Sequence, residues 1–255
     1  MVCGISGIIL IGMNNELSGE EFFAMKRDFS PLLVHLTRDG VDESGTPCVP
    51  AREVLDQILD EKTLRAFSYN HCLFGPNLES QNSSLQDKFK VVCFTETPID
   101  QIEVLTKPLR GRKFKLEPYG LVFNKKYVRE RGGNPVFYAT KEIAKPLWDL
   151  YWPLRGKAVK QSSEGICKLL ALVTLCDESS DWHWEREWRI VGDLKFEPTD
   201  IYCGLCPEAE ISYFENKHEV IFIDPTWSIN KILDKLVNLS KKKDQLHLPS
   251  DDIPF

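Results

Sequence analysis

Apolar positions along this chain fall into short runs separated by turn-forming clusters, and the runs switch between two periods. Residues 5–11 form an apolar run that predicts a strand. A turn at Met13, Asn14 and Asn15 follows, then a helix capped by Ser18 with Glu20 and Glu21 in its first turn. Residues 31–38 predict a buried strand carrying His35 and Thr37. Residues 39–50 carry Gly, Pro, Ser and Asp and read as a loop. Between residues 50 and 64, Val54, Leu55, Ile58 and Leu59 have helical spacing. Residues 69–84, rich in Asn, Ser, Gly and Pro, read as a mobile surface loop. Residues 91–95 predict a strand that stops before Pro98. Residues 119–123 and 135–138 predict paired strands, with Arg131, Gly132, Gly133 and Asn134 as the turn between them. Helices are expected over 141–151 and 164–170, a strand over 220–223, and a last helix over 229–239 capped by Ser228. The polar segment from Ser240 onward is expected to fray.

Strands and helices are mixed without βαβ alternation, so the pattern predicts one α+β domain over residues 1–240 and a polar tail over 241–255. A length of 255 residues can bury a sizeable core, and 42% hydrophobic with 27% charged residues is ordinary for a globular protein. No apolar run reaches membrane-spanning length. The run at residues 8–11 is too short for a signal peptide and has no basic segment before it, so a cytoplasmic protein without a membrane partner is expected. Eight cysteines at this length do not make a disulfide framework and are expected to be mostly buried thiols.

The net charge of −6 hides a local reversal. Lys107, Arg110, Arg112, Lys113, Lys115, Lys125, Lys126, Arg129 and Arg131 are opposed in their window only by Glu117 and Glu130. Phe114, Tyr119, Phe123 and Tyr127 are interleaved. Basic and aromatic side chains together suit a polyanion, nucleic acid or dinucleotide, while a solvated basic hairpin gives the same pattern.

The segment with the most chemistry is residues 182–191, which holds three of the six tryptophans together with Glu185 and Glu187. On an extended strand Glu185 and Glu187 share a face with His183, and Trp184, Arg186 and Trp188 share the other. Two carboxylates so close repel unless a cation lies between them. Other candidates are thinner. Cys203 and Cys206 form a CxxC without the second pair that a structural zinc site normally needs. Cys3 near the start suggests an N-terminal nucleophile, but removal of Met1 would expose Val2 instead. A lone histidine on an apolar strand, such as His35, is most often a satisfied core residue. Gly-rich phosphate loops and the nucleophile elbow are absent from the sequence.

Four segments in order, Val34-His35-Leu36-Thr37, residues 92–98, residues 119–138 and Glu185-Arg186-Glu187-Trp188-Arg189, resemble the ADP-ribosyltransferase superfamily. Within it the likeness is to AbiGi-like abortive-infection proteins of phage defence, and more distantly to DarT and CmdT toxins. It covers roughly residues 30–192. The resemblance implies a mixed or antiparallel split β-sheet flanked by helices, with NAD as substrate and no metal. It implies that His35 and Thr37 hold the adenosine ribose and that Glu187 is catalytic with Glu185 accessory. Phe94, Tyr119 or Tyr138 would stack on nicotinamide, beside Thr95. The Ser-Thr-Ser or aromatic triplet of many superfamily members is replaced here by Thr95 and Thr97 alone. Arg110, Arg112, Lys113, Lys125, Lys126 and Arg129 would contact the pyrophosphate or a macromolecular acceptor, with nucleic acid favoured over protein. A toxin would imply a cognate antitoxin. Two other readings remain open: an inactive binding or antitoxin module on the same fold, and a metal-dependent nuclease built on Glu185, Glu187 and acids such as Asp181 or Asp193.

Overall fold

The computed structural model describes residues 30–41, 46–108, 115–155, 163–176 and 181–245. The expected strand over 5–11, the helix after Ser18, and Cys3 lie outside these residues. So do Arg110, Arg112 and Lys113.

Seven strands form the main sheet: β1 (Leu32–Leu36), β2 (Val91–Thr95), β3 (Gly120–Asn124), β4 (Asn134–Pro135), β5 (Glu187–Val191), β6 (Ile201–Leu205) and β7 (Phe222–Ile223). Their order across the sheet is β7-β6-β3-β1-β2-β5-β4, and every pair is antiparallel except β6 with β7. The helices that matter below are α1 (Ala51–Glu61), α2 (Lys125–Glu130), α3 (Lys141–Tyr151), α4 (Glu164–Ala171), α5 (Ile211–Lys217) and α6 (Ile229–Gln245). Among the described residues no helix is long and apolar enough to cross a membrane.

Period-two alternation sends neighbouring side chains to opposite faces of the sheet. On β2, Val92 and Phe94 join Leu33, Phe123, Trp188 and Ile190 beneath α1 and α5. Val91 and the partly buried Cys93 face the other way, against a second cluster with Phe74, Phe89, Tyr151 and Leu170. A third cluster joins Val34, Val122, Leu205 and Ile223 to Ile232 of α6. Helix α1 forms where the apolar spacing predicts it. Leu55 and Leu59 are buried one turn apart, and Lys62 ends the helix in the left-handed region, φ 50°. The Asp39 carboxylate accepts the N–H of Ala51 (2.9 Å), so the end of β1's loop caps the start of α1.

Four local expectations are corrected. Residues 119–123 and 135–138 do not make a hairpin. β3 pairs with β1 and β6, α2 follows it, and Phe137–Ala139 pairs in parallel with Val173–Leu175. The side chain of Asn124 caps α2 by accepting the N–H of Lys126 (2.8 Å), so a helix follows β3 before the chain turns at residues 131–132. Residues 69–84 are not a loose loop, because Phe74 and Leu78 are fully buried and pin the segment to the second cluster. Residues 39–50 contain a small ladder, Gly40–Val41 with Pro47–Val49. At the C-terminus, α6 runs to Gln245, into the stretch expected to be tail.

Candidate functional site

Strands β1 and β2 are joined through one residue pair, Val34 opposite Thr95, whereas β1 and β3 pair along five positions. The sheet therefore has a seam. Beyond it opens a cleft of about 600 Å³, within the usual range for small-molecule sites. Its lining includes His35, Thr37, Phe94, Thr95, Glu185 and Glu187, drawn from segments far apart in sequence.

His35 bridges the seam. Its Nδ1 lies 2.8 Å from the Cys93 carbonyl oxygen. A carbonyl only accepts, so Nδ1 carries the proton, and Nε2 of the neutral ring is left as an acceptor. Burial pushes the pKa of His35 down, and the bond to Cys93 opposes this only in part, so the ring is neutral at neutral pH. Thr37 is turned to structural work: its hydroxyl faces the carbonyls of Ala51 and Tyr119, both at 3.2 Å.

Glu187 stands opposite Thr95 at the start of β5. Arg189, two residues along the same face, is fully buried and grips the carboxylate with two contacts, Nε to Oε1 at 2.9 Å and Nη2 to Oε2 at 2.8 Å. The remaining guanidinium donors reach the carbonyls of Ala171 and His71 and the hydroxyl of Thr174. Burial by itself would raise the Glu187 pKa. The charge and hydrogen bonds of Arg189, with smaller help from Cys93 and His71, outweigh it and hold the carboxyl below its ordinary value. Arg189 therefore neutralises Glu187.

Glu185 reaches the cleft by a route that strand alternation does not describe. His183–Glu185 is a single 3-10 turn, and Arg186 sits at φ 48° before β5 begins. Glu185 and Glu187 are thus not alternating members of one strand, as the sequence suggested. Asp181 starts the turn by accepting the N–H of His183 (3.0 Å), a local bond that competes with extended structure. Thr95 then holds the turn by donating its hydroxyl to the Glu185 carbonyl (2.6 Å).

Other expected site residues are placed elsewhere. Phe94 borders the cleft, but its ring is buried against His35 and Phe123 and is not presented for stacking on a ligand. Tyr119 donates its hydroxyl to Glu210 (2.8 Å) and lies beside Phe214, away from the cleft. Tyr138 accepts the N–H of Glu187 at its hydroxyl (3.0 Å) and packs on His183, so it supports the strand that carries Glu187. The exposed aromatic ring that does line the cleft is Phe67, 77% exposed.

Lys125 is also corrected. It is buried and paired with Glu96, whose other oxygen accepts the indole N–H of Trp188 (2.8 Å). A buried lysine with a partner is unavailable to a polyanion. Lys126 and Arg129 are exposed on α2, but neither lines the cleft. The arginines that line it are Arg38 and Arg65, the latter paired with Glu61 (2.8 Å).

Cys203 and Cys206 are fully buried, and burial pushes both thiols up, Cys206 to about 12. Such thiols resist the ionisation that metal binding requires. The ion pair of Glu187 with Arg189 likewise opposes a magnesium ion at that carboxylate. Asp193, the other acid considered for a nuclease, accepts the N–H of Ala66 instead (2.7 Å).

Compared with known protein families, with curated proteins and with solved structures, the chain matches none of them.

Proposed function

We propose that this protein is an NAD-dependent ADP-ribosyltransferase that transfers ADP-ribose to a macromolecule, nucleic acid in preference to protein, as a toxin of a phage-defence system. The observation that carries the reading is convergence. His35, Thr95, Glu185 and Glu187 come from three strands and a turn, and they line one cleft at the sheet's seam.

In the proposed reaction the bond between nicotinamide nitrogen and the ribose anomeric carbon breaks, and its electron pair leaves with nicotinamide. The ribose passes through an oxocarbenium-like state. The ionised Glu187 faces that charge; Arg189 occupies two of the roughly four acceptor positions of its carboxylate, leaving others for a ribose hydroxyl. Electrostatic stabilisation of this kind is worth roughly 3–4 kcal/mol per well-placed group. The acceptor nucleophile bonds to the anomeric carbon and gives its proton to Glu185. His35 takes a ribose hydroxyl at Nε2, Arg38 and Arg65 meet the pyrophosphate, and Phe67 offers a ring to a base.

A binding or antitoxin module that takes NAD without turnover is the second reading. The bidentate lock on Glu187 favours it, because Arg189 already neutralises part of the charge that would stabilise the transition state. Adenylate-labelled NAD incubated with a mixed extract of protein, RNA and DNA separates the two. Nicotinamide release with label in one macromolecular class, reduced at least about 100-fold in Glu185→Gln, supports the transferase. Release without macromolecular label indicates a glycohydrolase. NAD binding by calorimetry without any release leaves the binding module.

A further inference from the structure

The geometry points to a metal site separate from the cleft's carboxylates, formed by Cys176, Asp181 and His183 and suited to zinc or a similar borderline-soft divalent ion. One donor atom from each residue converges: Nδ1 of His183 lies 2.9 Å from Oδ1 of Asp181 and 3.2 Å from Sγ of Cys176, and Sγ lies 3.5 Å from the same Oδ1. A neutral imidazole nitrogen has one in-plane hydrogen-bonding position. Two partners approach it here, the carboxylate oxygen and the sulfur. A tetrahedral ion at about 2.0–2.3 Å from nitrogen, oxygen and sulfur satisfies all three. The Sγ–Oδ1 separation of 3.5 Å matches an edge of such a tetrahedron, and the two separations from Nδ1 are shorter than an edge by about 0.3–0.4 Å, a gap that small side-chain rotations close.

Each ligand is held by an independent contact. Cys176 follows the Val173–Leu175 strand and donates its N–H to the Ala139 carbonyl (2.9 Å). Asp181 is oriented by the backbone N–H of His183 (3.0 Å), and its own carbonyl accepts the indole N–H of Trp184 (2.9 Å). The His183 ring packs on Tyr138 with centroids 4.5 Å apart. Support of this kind fixes ligand orientation in metal sites. Nitrogen and sulfur donors favour zinc over magnesium or calcium. Three protein donors leave a fourth position for water. Binding releases the Cys176 thiol proton to solvent and forms the metal–thiolate bond. The ion would clasp the His183–Glu185 turn to the neighbouring strand and so order the backbone that carries Glu185.

The test uses the full chain, stripped with chelator and titrated with cobalt(II) as a spectroscopic substitute for zinc. The expected result is a thiolate-to-cobalt charge-transfer band with tetrahedral d–d bands, reaching a plateau at a stoichiometric ratio and displaced by zinc. Cys176→Ser abolishes the charge-transfer band, His183→Gln weakens binding about tenfold or more, and Cys48→Ser, at an exposed cysteine, changes neither. Circular dichroism checks folding. His183 is 61% exposed, so its variant keeps the test decisive where Cys176→Ser fails to fold. No charge-transfer band in the wild type, a band that persists in folded Cys176→Ser, or undiminished affinity in His183→Gln overturns the site.

Discussion

Glu187 and Arg189 sit two residues apart on one strand and make each other tolerable in the interior. A guanidinium that is 1% exposed and has lost its carboxylate is an unpaired buried charge. Glu187→Gln is therefore expected to destabilise the fold by about 3–5 kcal/mol, read from urea unfolding. If the cost is under about 1 kcal/mol, the pair is more hydrated than its burial implies. This is why Glu185→Gln is the cleaner probe of chemistry. The lowered carboxyl also sets an acid limit. The pair's contribution is complete above the ordinary glutamate pKa and disappears as pH falls through the lower folded value.

The histidines act in a different window. His35 and His71 both have pKa values pushed down by burial. Below the ordinary value of 6.5 the unfolded chain takes protons that the folded rings refuse, so stability falls as pH drops toward their folded values. Urea midpoints measured from about pH 7 to pH 5 should decline, and the slope should flatten in His35→Asn, which keeps a donor for the Cys93 carbonyl. An unchanged slope would mean that other groups govern this range.

At the scale of elements, the seam depends on how closely β3 approaches β1. A Cβ added at Gly120 would collide with the backbone carbonyl of His35, which cannot give way without moving the strand. Gly120→Ala is expected to cost about 1–3 kcal/mol and to weaken ligand binding in the cleft, because the displaced strand carries His35. Thermal unfolding and NAD calorimetry together check this, and a variant that loses stability but binds normally would uncouple the seam from β3. Several elements were legible before any tertiary structure was known. β1, β2, α1 and α3 follow from periodicity, since each period reports one buried face. The hairpin expected over 119–138 was not legible, because the Asn124 cap and the partners of β3 come from residues that local spacing does not mention.

Across the whole molecule, the sheet separates the packed clusters, and the cysteines report on their integrity. Cys48 is exposed, while Cys203 and Cys206 are fully buried. Alkylation of the native chain, mapped by mass spectrometry, should label Cys48 rapidly and reach Cys203 and Cys206 only on unfolding. Rapid native labelling of the CxxC would show that β6 opens locally. Lys125 shows why burial is a property of the whole molecule: a sequence rich in cations suggests a polyanion surface, yet packing turned this lysine inward onto Glu96.

The resemblance to a known family drew attention to His35 and Thr95, whereas the sequence by itself determined the mixed α+β class, most strand and helix positions, and Glu185 and Glu187 as a carboxylate pair. Those depend on local periodicity and side-chain chemistry, which the order of residues encodes directly. Tertiary structure alone decided that these four share a cleft, that Arg189 neutralises Glu187, that Tyr119 and Lys125 serve packing, and that Cys176 meets His183 and Asp181. Each of these depends on where a turn, a cap or a strand pairing places a side chain in space, and seven or ninety positions of sequence separation can equally become one hydrogen bond.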